Sequence, residues 1–187
     1  MPGPPIEWSV NMSELCRVRA MIVDDLPMVL AWRNHWDVRR FMFTQHEIGL
    51  DEHRNWFSRL CHDETRRLLI AMVGEVPIGY VQFDNVADDG VSNWGFYADP
   101  KATKGTGKKL GFAALTYAFG ELNLHKVCGQ AVDFNTASIA LHERLGFAQE
   151  GVLREQQRIQ GSYRSIVCFG LLKSDWIVRM IPLGEPN

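Results

Sequence analysis

Lysine, glycine and threonine crowd together in Asp99-Pro100-Lys101-Ala102-Thr103-Lys104-Gly105-Thr106-Gly107-Lys108-Lys109-Leu110, between a strand-like run and a helix-like run. Small residues free backbone N–H groups, a helix N-terminus favours anions and ammonium groups add charge, so the stretch reads as a phosphate cradle. Its spacing fails two common templates. A P-loop needs four residues between its first Gly and the Gly-Lys pair and ends in Ser or Thr, whereas Gly105-Thr106-Gly107-Lys108-Lys109 has one residue and a second Lys. A dinucleotide fingerprint wants a third Gly where Leu110 stands. What remains is a short loop whose N–H groups could wrap a pyrophosphate, with an ordinary solvated turn as the alternative.

A second concentration of chemistry lies between Trp32 and Thr44, where Arg, His and aromatic residues alternate around a break between two short helices. Such side chains together can stack on a base or sugar and bind phosphate. Alternatively Trp32, Trp36, Phe41 and Phe43 are core and the arginines a wet face. Leu50 to Cys61 reads as an amphipathic helix with His53, Trp56, Phe57 and Leu60 on one stripe, which makes His53 either a satisfied core histidine or a ligand contact.

The elements that must position these groups follow from periodicity and turn chemistry. Residues 1–13, with Pro2, Pro4 and Pro5, read as a flexible leader, and 14–187 as a single domain. Leu15 to Met21 alternates like a half-buried strand, and Asp24-Asp25 with Pro27 opens a helix. Arg67–Val73 and Val76–Phe83 form a hairpin across Gly74-Glu75, and Ser92–Ala98 is a third strand ended by Asp99-Pro100. Thr106–Leu122 is a long helix, Lys126–Phe134 a strand, and Asn135-Thr136-Ala137-Ser138 opens a helix that Gly146 closes. Phe147–Arg158 and Ser162–Leu172 pair across Gln160-Gly161. The order β-α-α-β-β-β-α-β-α-β-β implies one mixed α/β (α+β) sheet.

Composition narrows the classes of function. A formal charge of -2 argues against a general nucleic-acid binder, so the lysines of 101–109 are a local feature. Cys16, Cys61, Cys128 and Cys168 lie far apart without a CxxC, which suggests neither a zinc knuckle nor a redox pair, and no metal site is expected. No apolar run reaches bilayer length and no secretion signal opens the chain, so a cytoplasmic protein without membrane or nucleic-acid partners is expected.

Asn135-x-x-Ser138-x-x-Leu141-His142-x-x-Leu145-Gly146-Phe147, after a strand and downstream of a Gly-x-Gly loop, resembles the GNAT acetyltransferases over about Leu15 to Leu172. The resemblance implies the GNAT fold, with a mostly antiparallel mixed sheet splayed between its fourth and fifth strands and helices on both faces. It also implies acetyl-CoA as cofactor. The loop would hold the CoA pyrophosphate on backbone N–H groups from about Thr103 to Lys108, through Lys104, Gly105, Thr106 and Gly107. Where the family places Arg or Gln, this chain has Ala102, so Lys101, Lys104 or Lys108 would supply the charge. Pantetheine would lie along the splayed strand at Phe96 and Tyr97, with Asn135 and Ser138 at its mouth, Asn135 acting as N-cap, cofactor contact or both. Many relatives carry Tyr at the place of His142, which protonates the departing thiolate. The imidazole is the expected catalytic acid here, against a packed core histidine bonded to a carbonyl.

Within the family, Trp32-Arg33-Asn34, Glu52-His53-x-x-Trp56 and the block from Asp133 to Phe147 resemble the pseudaminic acid pathway N-acetyltransferases. These act on the 4-amino group of a UDP-linked 4-amino-4,6-dideoxy sugar. Arg33, His53, Trp56 and Trp94 would then bind a nucleotide-sugar acceptor, and a backbone N–H between Trp94 and Tyr97 would stabilise the oxyanion. That strand carries no carboxylate, which suits a sugar amine better than a lysine, and His53 or Asp84 could serve a water-relayed base. A protein N-terminal acetyltransferase and a non-catalytic CoA- or nucleotide-binding module are the alternatives. The last strand pair offers an edge for a homodimer.

Overall fold

Strand-forming runs separated by tight turns give the chain seven strands and six α-helices among residues 16–180, the residues that the computed structural model describes. In order these are β1 (Cys16–Ala20), α1 (Leu26–Asn34), α2 (Trp36–Arg39), α3 (Leu50–Leu60), β2 (Arg66–Val73), β3 (Val76–Asp84), β4 (Val91–Ala98), α4 (Thr106–Gly120), β5 (Lys126–Val132), α5 (Thr136–Leu145), β6 (Ala148–Ile159), β7 (Ser162–Leu172) and α6 (Lys173–Met180). The expected leader lies outside the described residues.

One sheet holds every strand in the order β1-β2-β3-β4-β5-β7-β6. All neighbours are antiparallel except β4 and β5, which run parallel and pair only from Val91↔Lys126 to Asn93↔Cys128. Beyond Asn93 the strands diverge. The β5-facing backbone groups between Trp94 and Ala98 therefore have no strand partner, and the splay is the GNAT feature the sequence implies.

Local chemistry explains the turns. Val73 pairs with Val76 across Gly74, whose φ is 57°, and Gln160 and Gly161, at φ 50° and 83°, make the two-residue turn between β6 and β7. Asp25 does not cap α1 through its side chain as expected. Its carboxylate instead receives both Arg19 Nη atoms, at 2.7 and 2.8 Å, and the Ile22 N–H at 2.9 Å, which ties β1 to the turn before α1. The expected break between two short helices falls at His35, between α1 and α2, whereas sequence periodicity missed α6, whose Trp176 is buried against Phe112 and Phe119 of α4.

The sheet divides the core in two. On one face α4 covers the centre, burying Leu110, Ala114, Leu115 and Ala118 against Val81 and Phe83 of β3 and Val127 of β5. On the other, Leu26, Val29 and Trp32 of α1 and Trp56 and Phe57 of α3 pack on Ile70 of β2 and Tyr80 of β3. Helices thus lie on both faces. No helix among the described residues is long and apolar enough to cross a membrane.

Candidate active site

Where β4 and β5 part, a cavity of about 740 Å³ opens through the sheet. Successive strand residues point to opposite faces, so strand parity decides which side chain meets which helix layer. β3 and β4 pair with Tyr80↔Tyr97, Gln82↔Gly95 and Asp84↔Asn93, and the Tyr80 and Tyr97 rings meet 5.1 Å apart beneath α3. Trp94 and Phe96 therefore belong to the opposite face, with α4 and α5. Arg33, His53 and Trp56 come together as expected. Trp94 lines the cavity but does not join them.

Arg33 and His53 are buried at 9% and 4% exposure and both line the cavity. Arg33 Nη2 donates to the Thr44 carbonyl at 3.1 Å, but among the described residues Nη1 has no hydrogen-bond partner, and neither does His53 Nε2. The His53 ring stacks on Trp56 at 5.0 Å between centroids. Burial pushes the Arg33 guanidinium and the His53 imidazole below their ordinary values, and the Arg33 charge lowers His53 further. The carboxylates lining the same cavity already have cationic or imidazole partners: Asp84 meets Arg66 at 2.6 Å and Glu52 meets His46 at 3.0 Å. Of the unpartnered polar atoms at this end of the cavity, Arg33 Nη1 is a cation's donor, and His53 Nε2 beside it donates in the tautomer that carries its proton there.

His142 sits at 1% exposure among Trp94, Phe147 and Phe169, stacked on the last at 4.6 Å. Both its ring nitrogens are engaged. A carbonyl only accepts, so the Ser138 oxygen at 2.8 Å fixes the proton on Nδ1; an indole N–H only donates, so Trp94 Nε1 at 3.2 Å fixes the lone pair on Nε2. That tautomer is neutral, and burial lowers its pKa. In this arrangement the Nδ1 proton is held by the Ser138 carbonyl and Nε2 presents its lone pair to Trp94, while the side chain still lines the cavity. Gly129 of β5 makes the pair possible, because a Cβ there would fall on His142 Nε2 and Trp94 Nε1.

Two buried, depressed histidines give a stability prediction with a definite sign. Unfolded, each titrates near 6.5; folded, each binds its proton less well, so below that value the unfolded chain takes up more protons and stability falls as the pH drops. The contribution is complete above about pH 6.5 and shrinks progressively below it. Asp25, held down by Arg19, adds the same sign of loss only below 3.8. Thermal melts are expected to show a falling midpoint from about pH 7 to about pH 5, with a shallower slope in His142→Gln.

The Gly-Lys loop stands apart from this cavity's lining, at the N-terminus of α4. Gly105 is the N-cap at φ 98°, a conformation suited to glycine, with open space where a Cβ would be. The amides expected to bind an anion are fewer than the sequence suggests. Thr106 N–H donates to Thr103 at 3.2 Å and Lys108 N–H to Gly105 at 3.0 Å, closing the first turn. The amides of Thr103, Lys104, Gly105 and Gly107 donate to none of the described residues. Lys101, Lys104 and Lys108 are exposed around them. Asn135 caps α5, its Oδ1 accepting the Ser138 N–H at 3.1 Å, and both residues line the cavity.

Splayed strands, a Gly-turned helix N-terminus and a cavity joining the two faces define an acyltransferase fold, and residues 16–148 match the family of the acetyltransferase (GNAT) domain. The chain belongs to the GNAT acetyltransferases and is an acetyl-CoA-dependent N-acetyltransferase. Acetyltransferase PseH of Campylobacter jejuni is 27% identical over 123 residues, 66% of this chain and 76% of that one. Spermidine N(1)-acetyltransferase of Vibrio cholerae is 26% identical over 177 residues, 90% of this chain and 99% of that one. The crystal structure of the V. cholerae spermidine N-acetyltransferase in complex with CoA and spermine superposes with a TM-score of 0.81 at 25% identity, over 87% of this chain and 98% of that one.

Proposed function

We propose that the acceptor is an amine on a phosphate-bearing small molecule, best matched by a UDP-linked 4-amino-4,6-dideoxy sugar of the pseudaminic acid type. One observation carries this choice over a polyamine: Arg33 and His53 both line the cavity, and each holds a buried nitrogen, Nη1 and Nε2, without a partner among the described residues. A polycation would meet a like charge there, whereas phosphate oxygens would complete both groups through charge-assisted bonds. Trp56, stacked beside His53, adds an aromatic surface for a base or sugar.

The donor fits the other parts of the structure. The unengaged amides of Thr103, Lys104, Gly105 and Gly107, with Lys101, Lys108 and the dipole of α4, suit the CoA pyrophosphate. Unpaired backbone between Trp94 and Ala98 suits pantetheine, beside Phe96, Tyr97, Asn135 and Ser138. Acetyl-CoA supplies an acetyl thioester, whose acyl carbon passes to the amine nitrogen with release of CoA thiolate and one proton. A thiol titrates only modestly above neutrality, so the leaving group needs no dedicated acid, in keeping with the engaged nitrogens of His142. A β4 amide between Trp94 and Tyr97 is the proposed oxyanion donor.

The test is a comparison of acceptors with acetyl-CoA: the UDP-amino sugar, spermidine, and a peptide bearing a free N-terminus. The expected outcome is thiol release with one acetyl group on the sugar and at least about 100-fold lower kcat/KM for the other two, the scale of an unmatched buried polar pair. Spermidine turnover at or above that of the sugar would move the assignment to a polyamine, as the names of the V. cholerae relatives suggest. Acetylated peptide alone would make it a protein N-terminal enzyme.

A further inference from the structure

β3 carries a row of polar side chains that includes Asp84, a candidate from the sequence for a water-relayed base, here engaged by Arg66 and Gln82. Tyr80, Gln82 and Asp84 occupy alternate positions of the strand, share the face beneath α3, and all line the cavity. They are joined end to end. Arg66 Nη1 donates to Asp84 Oδ1 at 2.6 Å, Gln82 Nε2 donates to Asp84 Oδ2 at 3.0 Å, and the Tyr80 hydroxyl donates to Gln82 Oε1 at 3.0 Å.

The chemistry of the two ends forces the direction of every bond between them. A guanidinium can only donate, and the carboxylate paired with it can only accept, so Gln82 must turn its NH2 towards Asp84 and its oxygen towards Tyr80. Tyr80 has a single hydroxyl proton, and the Gln82 oxygen takes it. What the hydroxyl can still offer is lone pairs. Burial pushes the phenol well above its ordinary pKa, so it stays a hydroxyl. By register the row runs beside Asn93, Gly95 and Tyr97 of β4, and from Gly95 onward β4 has lost its β5 partner. Gly95 has no side chain to cover Gln82.

An attacking amine has N–H bonds to place and one lone pair to aim at the acyl carbon. An oxygen that can only accept holds one N–H and thereby turns the lone pair; a free hydroxyl could instead donate to that lone pair and block it. We propose that the Tyr80 hydroxyl oxygen receives and orients the acceptor's amine, and that Gln82, Asp84 and Arg66 are positioning residues that hold its proton away from the nucleophile. The N–C bond forms as the C–S bond breaks, the C–S electron pair leaves on sulfur, and the proton shed by nitrogen passes to water. Tyr80 neither gains nor loses one.

This rests on the N-acetyltransferase assignment and not on the choice of acceptor, so it is tested with whichever amine of the three above is turned over best. Tyr80→Phe and Gln82→Leu are each expected to lower kcat by about 10- to 100-fold, the cost of misplacing a nucleophile. Calorimetric binding of acetyl-CoA should stay within about twofold of the wild type, because phenylalanine keeps the ring against Tyr97 and neither change touches the loop at 103–107. The double variant discriminates. If both act through one oxygen, Tyr80→Phe/Gln82→Leu falls no further than Tyr80→Phe alone. Turnover unchanged in Tyr80→Phe, or losses that multiply in the double variant with acetyl-CoA binding intact, would overturn the proposal.

Discussion

Arg33→Met is expected to raise the melting midpoint while lowering kcat/KM for a phosphate-bearing acceptor by about 100-fold, the loss of one charge-assisted pair in a closed site. The two effects have opposite signs if, as proposed, the guanidinium serves a ligand and not the fold. It is 9% exposed, and Nη1 has no partner among the described residues. Holding an incompletely compensated cation away from water costs on the order of several kcal/mol, against about 1 kcal/mol from the bond to the Thr44 carbonyl. Methionine matches the length of the aliphatic stem and removes the charge, so a net gain of about 1 kcal/mol, or roughly 2–4 °C in a chain of this size, is the expected outcome. Calorimetric melts and steady-state kinetics with the UDP-amino sugar check both halves. A lowered midpoint with unchanged kcat/KM would make Arg33 a prop for the 44–48 loop and remove the basis for an anionic acceptor.

Features written locally in the chain were legible before any coordinates, and those set by distant partners were not. Asn135 as N-cap, Gly146 as C-cap at φ 97° and the Gly74 and Gly161 turns each depend on residues within a few positions. The splay followed from a family likeness spread over the chain. Side-chain grouping at the splay did not follow, because it depends on strand parity: Trp94 is one residue from Gly95, yet the β3–β4 register sends it to the α5 face, away from Arg33 and His53. The row from Tyr80 to Asp84 has a period-2 signature, but its hydrogen-bond polarity is fixed by Arg66, on the neighbouring strand. Helix α6 was missed although it supplies the partner that buries Phe119 on the outer flank of α4.

His142 separates a catalytic acid from a buried strut, and its substitutions should divide accordingly. Alanine removes an imidazole at 1% exposure and leaves the Trp94 N–H without an acceptor. A cavity of that size and an orphaned donor together cost about 3–5 kcal/mol, so His142→Ala should melt far earlier. Glutamine can set an amide oxygen near the place of Nε2 and keep the Trp94 bond, while it loses the bond to Ser138. His142→Gln is therefore expected to recover most of the lost stability and to keep kcat within about fivefold of the wild type, although it has no group that titrates near neutrality. An acid would give the reverse. Its glutamine variant would fold well and lose on the order of 100-fold or more in kcat, and the wild-type profile would carry a descending limb that the variant lacks. Imidazole nitrogen resonances provide a check independent of turnover, because the neutral Nδ1–H form should persist as the pH falls through 6.5, where an exposed histidine becomes doubly protonated. Trp94→Phe removes the N–H that faces Nε2, and it should let that nitrogen protonate at a higher pH than in the wild type. In the wild type a neutral imidazole lies between an indole and a carbonyl next to the splay, with Gly129 leaving the room that this contact requires.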